Sequence, residues 1–561
     1  MKETTKLKFF LILVLLFCLH GFSFPEKKTS LSEGVVVSYD KRASQVGIDI
    51  MKQGGNAVDA TVAVGFALAV VHPAAGNIGG GGFMLIWLKN GPISSFVDYR
   101  ETAPAGATKE MFLDEKGEID RDKAHCGYLA AGVPGTVAGL YLAHQEFGSL
   151  PWSKLIEPSI KLAEEGFIVD KNLADSLEQR KKIFEKYPSS KKLFFKNGQP
   201  YKEGERLIQR DLANTLKLVA DKGKDGFYTG PVAQLIAQDM ANNGGLITEN
   251  DLATYQAIVR KPLSGSYRNF HVLVPPPPSS GGVTLIQMLN ILEGFDFSQL
   301  KPLSPWTIHL MTETMKLAYY DRARYLGDMD FVTINLQELT SKRYASRLRE
   351  RINKDKAFPS IDLGKVLITS KEGEATTHYS VVDPQGNAVS NTYTINSWFG
   401  SHAAAEGTGF LLNDEMADFN LKPGLTDDKG NIGTWPNRIE PGKRMLSSMT
   451  PAILLKDGKP FLVTGSPGGR RIITTVLEVI INLIDFKMPA EKAVKFPRFH
   501  HQWLPDIIGF EKDAVSQEVL DNLRKMGHQV IIRDYQQGNA HTIYIDPKTG
   551  KYQGIVDIRR E

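Results

Sequence analysis

Thr376-Thr377-His378-Tyr379-Ser380-Val381-Val382-Asp383 sits deep inside a chain of 561 residues, yet it reads as the beginning of a strand. β-Branched and aromatic side chains dominate it, and they favour extended backbone. Pro384-Gln385-Gly386-Asn387 follows as a turn and Ala388 to Thr394 as a second strand, so a hairpin is predicted. Just upstream, residues 353–375 are polar and include Lys371-Glu372-Gly373-Glu374, a composition suited to a flexible linker. The chain therefore changes character at Thr376.

Downstream the pattern is mixed sheet with flanking helices. Ala452 to Leu455 and Phe461 to Thr464 flank Asp457-Gly458, a tight-turn pair. Leu462-Val463-Thr464 then leads through Gly465-Ser466-Pro467-Gly468-Gly469 into an apolar helix over Ile472 to Ile484. Upstream, Arg42 to Lys52 is a helical pattern stopped by Gly54-Gly55. Asn56 to Val71 is small and apolar nearly all round, which predicts a buried helix. Gly76-Asn77-Ile78-Gly79-Gly80-Gly81-Gly82 precedes Phe83 to Leu88, a buried strand. No G-K-[ST] follows and the loop comes before the strand, so these glycines serve close backbone packing rather than a phosphate. Residues 137–350 read as mainly helical with charged, solvated faces. Within them Pro275-Pro276-Pro277-Pro278 reads as a rigid extended spacer, followed by a helix around Leu285 to Leu292.

Hydrophobic residues make up 42% of the chain and charged residues 23%, ordinary values for a globular protein with a sizeable core. Lys2, Lys6 and Lys8 precede the apolar run Phe9 to Leu19. That run is too short to span a bilayer and suits the apolar region of an export signal. Gly21-Phe22-Ser23 offers small residues for cleavage, so residues 1–23 are assigned as a signal peptide and the protein as periplasmic or secreted. An uncleaved anchor is the alternative. Cys18 follows the bulky Phe17, which argues against lipidation. Loss of residues 1–23 lowers the formal charge from +4 to +2, which points to neither nucleic acid nor an anionic membrane. Cys126 is then the one cysteine left, so no intrachain disulfide can form and a packed thiol is expected.

Five segments, in order and spacing from about residue 33 to the C-terminus, resemble the γ-glutamyltranspeptidases, members of the N-terminal nucleophile hydrolases. Thr376-Thr377-His378-Tyr379 resembles the start of their small subunit. Asp98-Tyr99-Arg100-Glu101-Thr102-Ala103-Pro104 resembles their arginine segment, and Gly132-Val133-Pro134-Gly135-Thr136 their turn. Leu446-Ser447-Ser448-Met449 resembles their substrate serines, and Gly465 to Gly469 their oxyanion glycines. The resemblance implies a four-layer αββα sandwich built from the whole mature chain. It also implies self-cleavage between Ala375 and Thr376, giving a large subunit, 24–375, and a small subunit, 376–561. Thr376 would then hold a hydroxyl nucleophile and an amine base on one residue. An unperturbed terminal amine, with a pKa of roughly 7.7–8.0, is partly neutral near neutral pH. Thr394 is implied to orient Thr376. Gly468 and Gly469 are implied to stabilise an oxyanion, a task that a loop entering a helix suits. Arg100, with Ser447 and Ser448, is implied to receive a substrate α-carboxylate, for which a guanidinium fork is fitted. Asn396, Glu415 and Asp418 are implied to accept from its α-ammonium.

The activity so implied is cleavage of the γ-amide of glutathione through an ester on Thr376. The glutamyl group passes to water or to an amino acid or dipeptide acceptor. A related self-processing amidohydrolase, such as a cephalosporin acylase or a poly-γ-glutamate depolymerase, is the alternative. A non-catalytic secreted binding protein is a third reading. No cofactor is expected, and no metal: the adjacent His500-His501 do not easily face one site, and no metal-ligand spacing appears. Asn420 to Glu440 is long enough for a lid over the site and contains Trp435 but no tyrosine.

Overall fold

A computed structural model describes residues 33–90, 94–364, 375–422, 424, 434–557 and 559. The assigned signal peptide lies outside these residues, as do 365–374 just before Thr376 and most of the middle of the expected lid. Two six-stranded sheets carry the architecture. Their strands, numbered along the chain, are β1 (Val35–Val37), β2 (Gly81–Trp87), β3 (Ser94–Tyr99), β4 (Ile258–Arg260), β5 (Leu263–Tyr267), β6 (Phe270–Val274), β7 (Thr376–Val382), β8 (Ala388–Thr394), β9 (Ala452–Lys456), β10 (Lys459–Thr464), β11 (Thr542–Ile545) and β12 (Tyr552–Ile555). The first sheet runs β1-β7-β8-β2-β3-β4 and the second β12-β11-β10-β9-β6-β5. Every pairing in both whose register is resolved is antiparallel, although half of them join strands far apart in the chain.

Helices cover the outer faces. α1 (Lys41–Lys52), α2 (Ala57–Val71) and α3 (Thr136–Phe147) share a core with the first sheet. α4 (Gly281–Leu292), α5 (Pro305–Tyr325) and α6 (Arg471–Ile484) share one with the second. A third cluster lies between the sheets, from Phe83, Leu85, Trp87 and Phe96 on one side to Ile453, Leu455 and Val463 on the other. The period-2 alternation of a strand sorts these residues. Met84 and Ile86 face the helices while their β2 neighbours Phe83, Leu85 and Trp87 face the opposite sheet. The layers are therefore helix, sheet, sheet, helix, as the resemblance implied.

Local sequence explains the elements nearest the site. α2 starts with a reciprocal cap: the Asn56 side chain accepts from Val58 N and Asp59 N, and Asp59 accepts from Asn56 N. All its side chains are buried, as an all-round apolar helix requires. The register of β7 on β8 sets Thr376 opposite Thr394, and β8 on β2 sets Thr394 opposite Gly81. Gly80 is where β2 enters this junction. A Cβ there would lie 2.0 Å from the Thr394 carbonyl oxygen, so only glycine lets the strands meet.

Four expectations need correction. Residues 137–350 are mainly helical, but β4, β5 and β6 interrupt them and two of these strands complete the second sheet. The charged face expected of α5 is not solvated: Thr307 to Ala323 are all buried, with Lys316 on Glu313 (3.0 Å) and Asp506 (3.2 Å), and Asp321 accepting from Gln287 and Tyr344. Pro277-Pro278 form a turn, closed by Ser279 N donating to the Pro276 carbonyl (3.1 Å), rather than continuing an extended spacer. The upstream part of the linker is fixed in place. Ala357 N donates to Met526 O (2.7 Å), Phe358 N to Glu313 (3.0 Å) and Ser360 N to Asp506 (2.8 Å), while Trp503 Nε1 donates to Ser360 O (2.8 Å).

Candidate active site

Arg100, Thr376, Thr394, Asn396, Glu415, Asp418, Ser447, Ser448 and Gly469 line one lumen, together with Met449 and Ile472. The space left in this uncut chain is about 10 Å3, room for about one water. Of the catalytic and substrate-binding residues singled out from sequence, Gly468 is the one that does not line it, and the cleavage-site residue Ala375 does not line it either.

Thr376 opens β7, and its hydroxyl lies 3.5 Å from that of Thr394. Thr394 Oγ1 donates to the Ala375 carbonyl oxygen (2.8 Å) and accepts from Asn396 N (2.7 Å). Ala375 N donates to Asn396 O (2.9 Å). The peptide bond between Ala375 and Thr376 is thus held on both sides, with its carbonyl polarised by a hydroxyl.

The charged wall of the lumen comes from distant segments. Arg100 follows β3 and is fully buried. Its guanidinium pairs with Glu415, with Asp418 (2.5 Å) and with Glu101 (3.3 Å). Its Nε donates to Met445 O (3.2 Å). One guanidinium therefore faces three buried carboxylates. Burial opposes the charge on Arg100, and Glu415, Glu101 and Asp418 more than restore it. Loss of solvation pushes the Glu101 carboxyl up to about 7 and raises Glu415 well above the usual carboxylate range, despite the pull of Arg100. The resemblance assigns Arg100 to one charged end of a substrate and Glu415 and Asp418 to the other; in the uncut chain they bind each other.

The Gly132 turn reaches the same place through Asn413. Asn413 Oδ1 accepts from Gly132 N (2.8 Å) and Glu415 N (3.0 Å), and its Nδ2 donates to Gly79 O and Gly132 O. Asn396 Nδ2 donates to Asp414 O (2.9 Å), tying the end of β8 to the segment that carries Glu415. On the opposite side, Gly468 and Gly469 adopt φ of 131° and 57°. That left-handed backbone is what glycine permits, and α6 begins two residues after it.

Three residues near the site escaped sequence reasoning. Glu101 sat inside a recognised segment, but nothing in the sequence announced its burial. Arg322, on α5, donates to Ser448 Oγ (3.0 Å) and Ser280 Oγ (2.8 Å). It was masked by the apparently solvated face of its helix. His378 does not line the lumen: its ring contacts Thr392 Oγ1 (2.8 Å) and Ser380 Oγ (3.0 Å) between the sheets, and burial holds it neutral, well below the ordinary imidazole range.

His500 and His501 diverge. His500 meets Thr474 and Gln502, whereas His501 meets Asp506. Among the described residues His309, Glu313 and His528 form one cluster of metal-ligand types. His309 Nδ1 and His528 Nε2 are 2.7 Å apart as a hydrogen-bonded pair, and the Lys316 ammonium already lies 3.0 Å from Glu313. Burial raises the half-buried Cys126 thiol, which makes it a poor nucleophile. No helix among the described residues is long and apolar enough to cross a membrane.

Residues 43–561 match the model of the gamma-glutamyltranspeptidase family. Over 528 residues the chain is 48% identical to a glutathione hydrolase proenzyme of Escherichia coli, covering 94% of this chain and 90% of that protein. A cephalosporin acylase from Bacillus halodurans superposes with a TM-score of 0.82 at 27% identity, over 94% of each chain. A chain of Helicobacter pylori gamma-glutamyltranspeptidase superposes with a TM-score of 0.57 at 48% identity, over 58% of this chain and 93% of that one. The chain belongs to the γ-glutamyltranspeptidase family.

Proposed function

We propose that the protein is a self-processing γ-glutamyl hydrolase and transferase that acts on glutathione and related γ-glutamyl compounds. The observation that carries this reading is the single lumen in which the Thr376 hydroxyl meets a wall bearing both signs of charge. A guanidinium with two serine hydroxyls suits an α-carboxylate, and carboxylates suit an α-ammonium. A simple acyl group would leave that charged wall unused, which favours the γ-glutamyl reading over an acylase.

The geometry at Ala375 supports self-cleavage there. Thr376 Oγ1 attacks the Ala375 carbonyl carbon, whose oxygen is held by Thr394. Expulsion of the Thr376 nitrogen, which takes up the proton lost by the hydroxyl, turns the peptide bond into an ester and frees an α-amine. Water then cleaves the ester, leaving a carboxylate on Ala375 and an N-terminal Thr376. The large subunit is then 24–375 and the small one 376–561. The Helicobacter pylori chain, matching nearly all of itself but little more than half of this chain, behaves as one piece of a divided relative would.

In turnover the new amine takes the Thr376 hydroxyl proton as the oxygen attacks the γ-carbonyl carbon. The oxyanion develops beside Gly468-Gly469, at the mouth of α6. Collapse breaks the amide, and the amine's proton goes to the departing cysteinylglycine nitrogen. Water, or the amine of an amino acid or dipeptide, then takes the glutamyl group from Thr376. The basic and apolar start of the chain, Lys2 to Leu19, supports action in the periplasm or outside the cell.

The test is direct. On a denaturing gel the purified protein runs as two pieces, and Edman sequencing of the smaller begins Thr-Thr-His-Tyr. Thr376→Ala stays uncut and releases no cysteinylglycine from glutathione, while Thr376→Ser keeps part of both reactions. A Thr376→Ala protein that still cuts itself and turns over glutathione would sink the proposal.

A further inference from the structure

Ser447 and Ser448 present two hydroxyls to the lumen, and each oxygen already accepts a hydrogen bond. Ser447 Oγ accepts from Met449 N (3.1 Å), and Ser448 Oγ accepts from Arg322 Nη2 (3.0 Å). A hydroxyl oxygen that accepts from a fixed donor turns its single proton elsewhere. Both serines are thereby set as donors, which is what an anion requires of them. Arg322 supports the pair twice. Its Nε donates to Ser280 Oγ (2.8 Å), and Ser280 donates to the Ser447 carbonyl through both its N–H and its hydroxyl, each at 2.7 Å. Arg322 is 2% exposed, so solvent screens its charge little. The other guanidinium of the site, Arg100, is surrounded by Glu101, Glu415 and Asp418.

We propose that Arg322 is a positioning residue for the substrate's α-carboxylate: it fixes the Ser448 hydroxyl as a donor, anchors the Ser447 backbone through Ser280, and places a second positive charge behind both serines. It touches no substrate atom itself. The inference rests on the γ-glutamyl reading of the site.

Three anilides test it: γ-glutamyl, glutaryl, which lacks the α-ammonium, and 4-aminobutyryl, which lacks the α-carboxylate. Arg322→Gln should lower kcat/KM about tenfold on the two carboxylate-bearing anilides, mainly through KM, and leave the 4-aminobutyryl compound nearly unchanged, as loss of a charge-assisted bond predicts. Arg322→Lys keeps the charge without the fork and should fall between. In a Ser448→Ala background, Arg322→Gln should add less loss than it causes in the wild type, because the two changes share one interaction. Should the Gln variant fail to fold or cut itself, the ratio of the two rates, γ-glutamyl over 4-aminobutyryl, in Arg322→Lys decides. A reduced ratio supports the inference, and an unchanged ratio overturns it. Equal losses on all three anilides would also overturn it, since a merely structural arginine behaves that way. A wild-type enzyme without preference for γ-glutamyl over 4-aminobutyryl anilide would overturn the head-pocket reading as well.

Discussion

Asp418 is the residue on which the recognition of an amino-acid head can be tested most cleanly. Removing Arg100 would leave Glu101, Glu415 and Asp418 buried together without their cation, and an uncompensated buried charge destabilises the whole site. Asp418→Asn instead keeps the shape and removes one charge. A charge-assisted contact of ~1.5–3 kcal/mol corresponds to roughly ten- to a hundredfold in kcat/KM. Asp418→Asn should therefore lose that much on a γ-glutamyl anilide and little on the glutaryl anilide, while still cutting itself. Equal losses on both would make Asp418 a structural residue only. At this scale the sequence was legible wherever a motif named a residue, as with Thr376, Arg100 and the serine pair. Glu101 and Arg322 were not legible, because burial and partnership are properties of the assembled fold. A lone glutamate beside a motif, or an arginine on a charged helix, reads the same whether it is solvated or enclosed.

Helix α6 carries a different burden. Its Glu478 is buried, accepts from Phe499 N (3.0 Å), and is pushed up to about 8 by loss of solvation despite the pull of Arg498 and Arg559. A carboxyl whose folded pKa exceeds its unfolded value binds more protons in the folded state between those two values. Stability is then greatest at and below the unfolded pKa, about 4.5, and falls as pH rises toward 8. Glu478→Gln cannot ionise. Its Tm should match or trail the wild type near pH 5 and exceed it at pH 8.5, a difference that calorimetry at the two pH values measures. A Tm difference that does not change with pH would mean that Glu478 is not the titrating group. Elements differed in how plainly the sequence announced them. The β9–β10 hairpin was legible because Asp457 and Gly458, at φ of 50° and 75°, supply the two left-handed residues of its turn. β4 and β5 were not, since both are short strands whose side chains, Tyr267 apart, stay partly exposed. α5 misled because its charges are satisfied inside the protein, where periodicity alone cannot follow them.

Across the whole molecule, the sheet order matters more than any one contact. β7 and β8 come from beyond the proposed cut, yet they lie between β1 and β2, which come from before it. In the second sheet β6, from before the cut, pairs with β9 from beyond it, and β5 completes that edge. Neither piece owns a complete sheet, so the two should co-elute as one particle in gel filtration and part only in denaturant. Separation in plain buffer would contradict the interleaved order. The four layers were legible from the resemblance, but which strand neighbours which was not, because register across hundreds of residues leaves no local trace. This interleaving gives the cut a direction in time. The uncut chain folds as one body, at a rate indifferent to dilution. Once cut, the same architecture can be regained only when two separate chains meet, so recovery from denaturant should slow as the solution is diluted, while Thr376→Ala recovers at a constant rate. Each mature molecule is then a one-time assembly: it keeps the shape its precursor reached, and a dilute solution gives it little chance to reach that shape again.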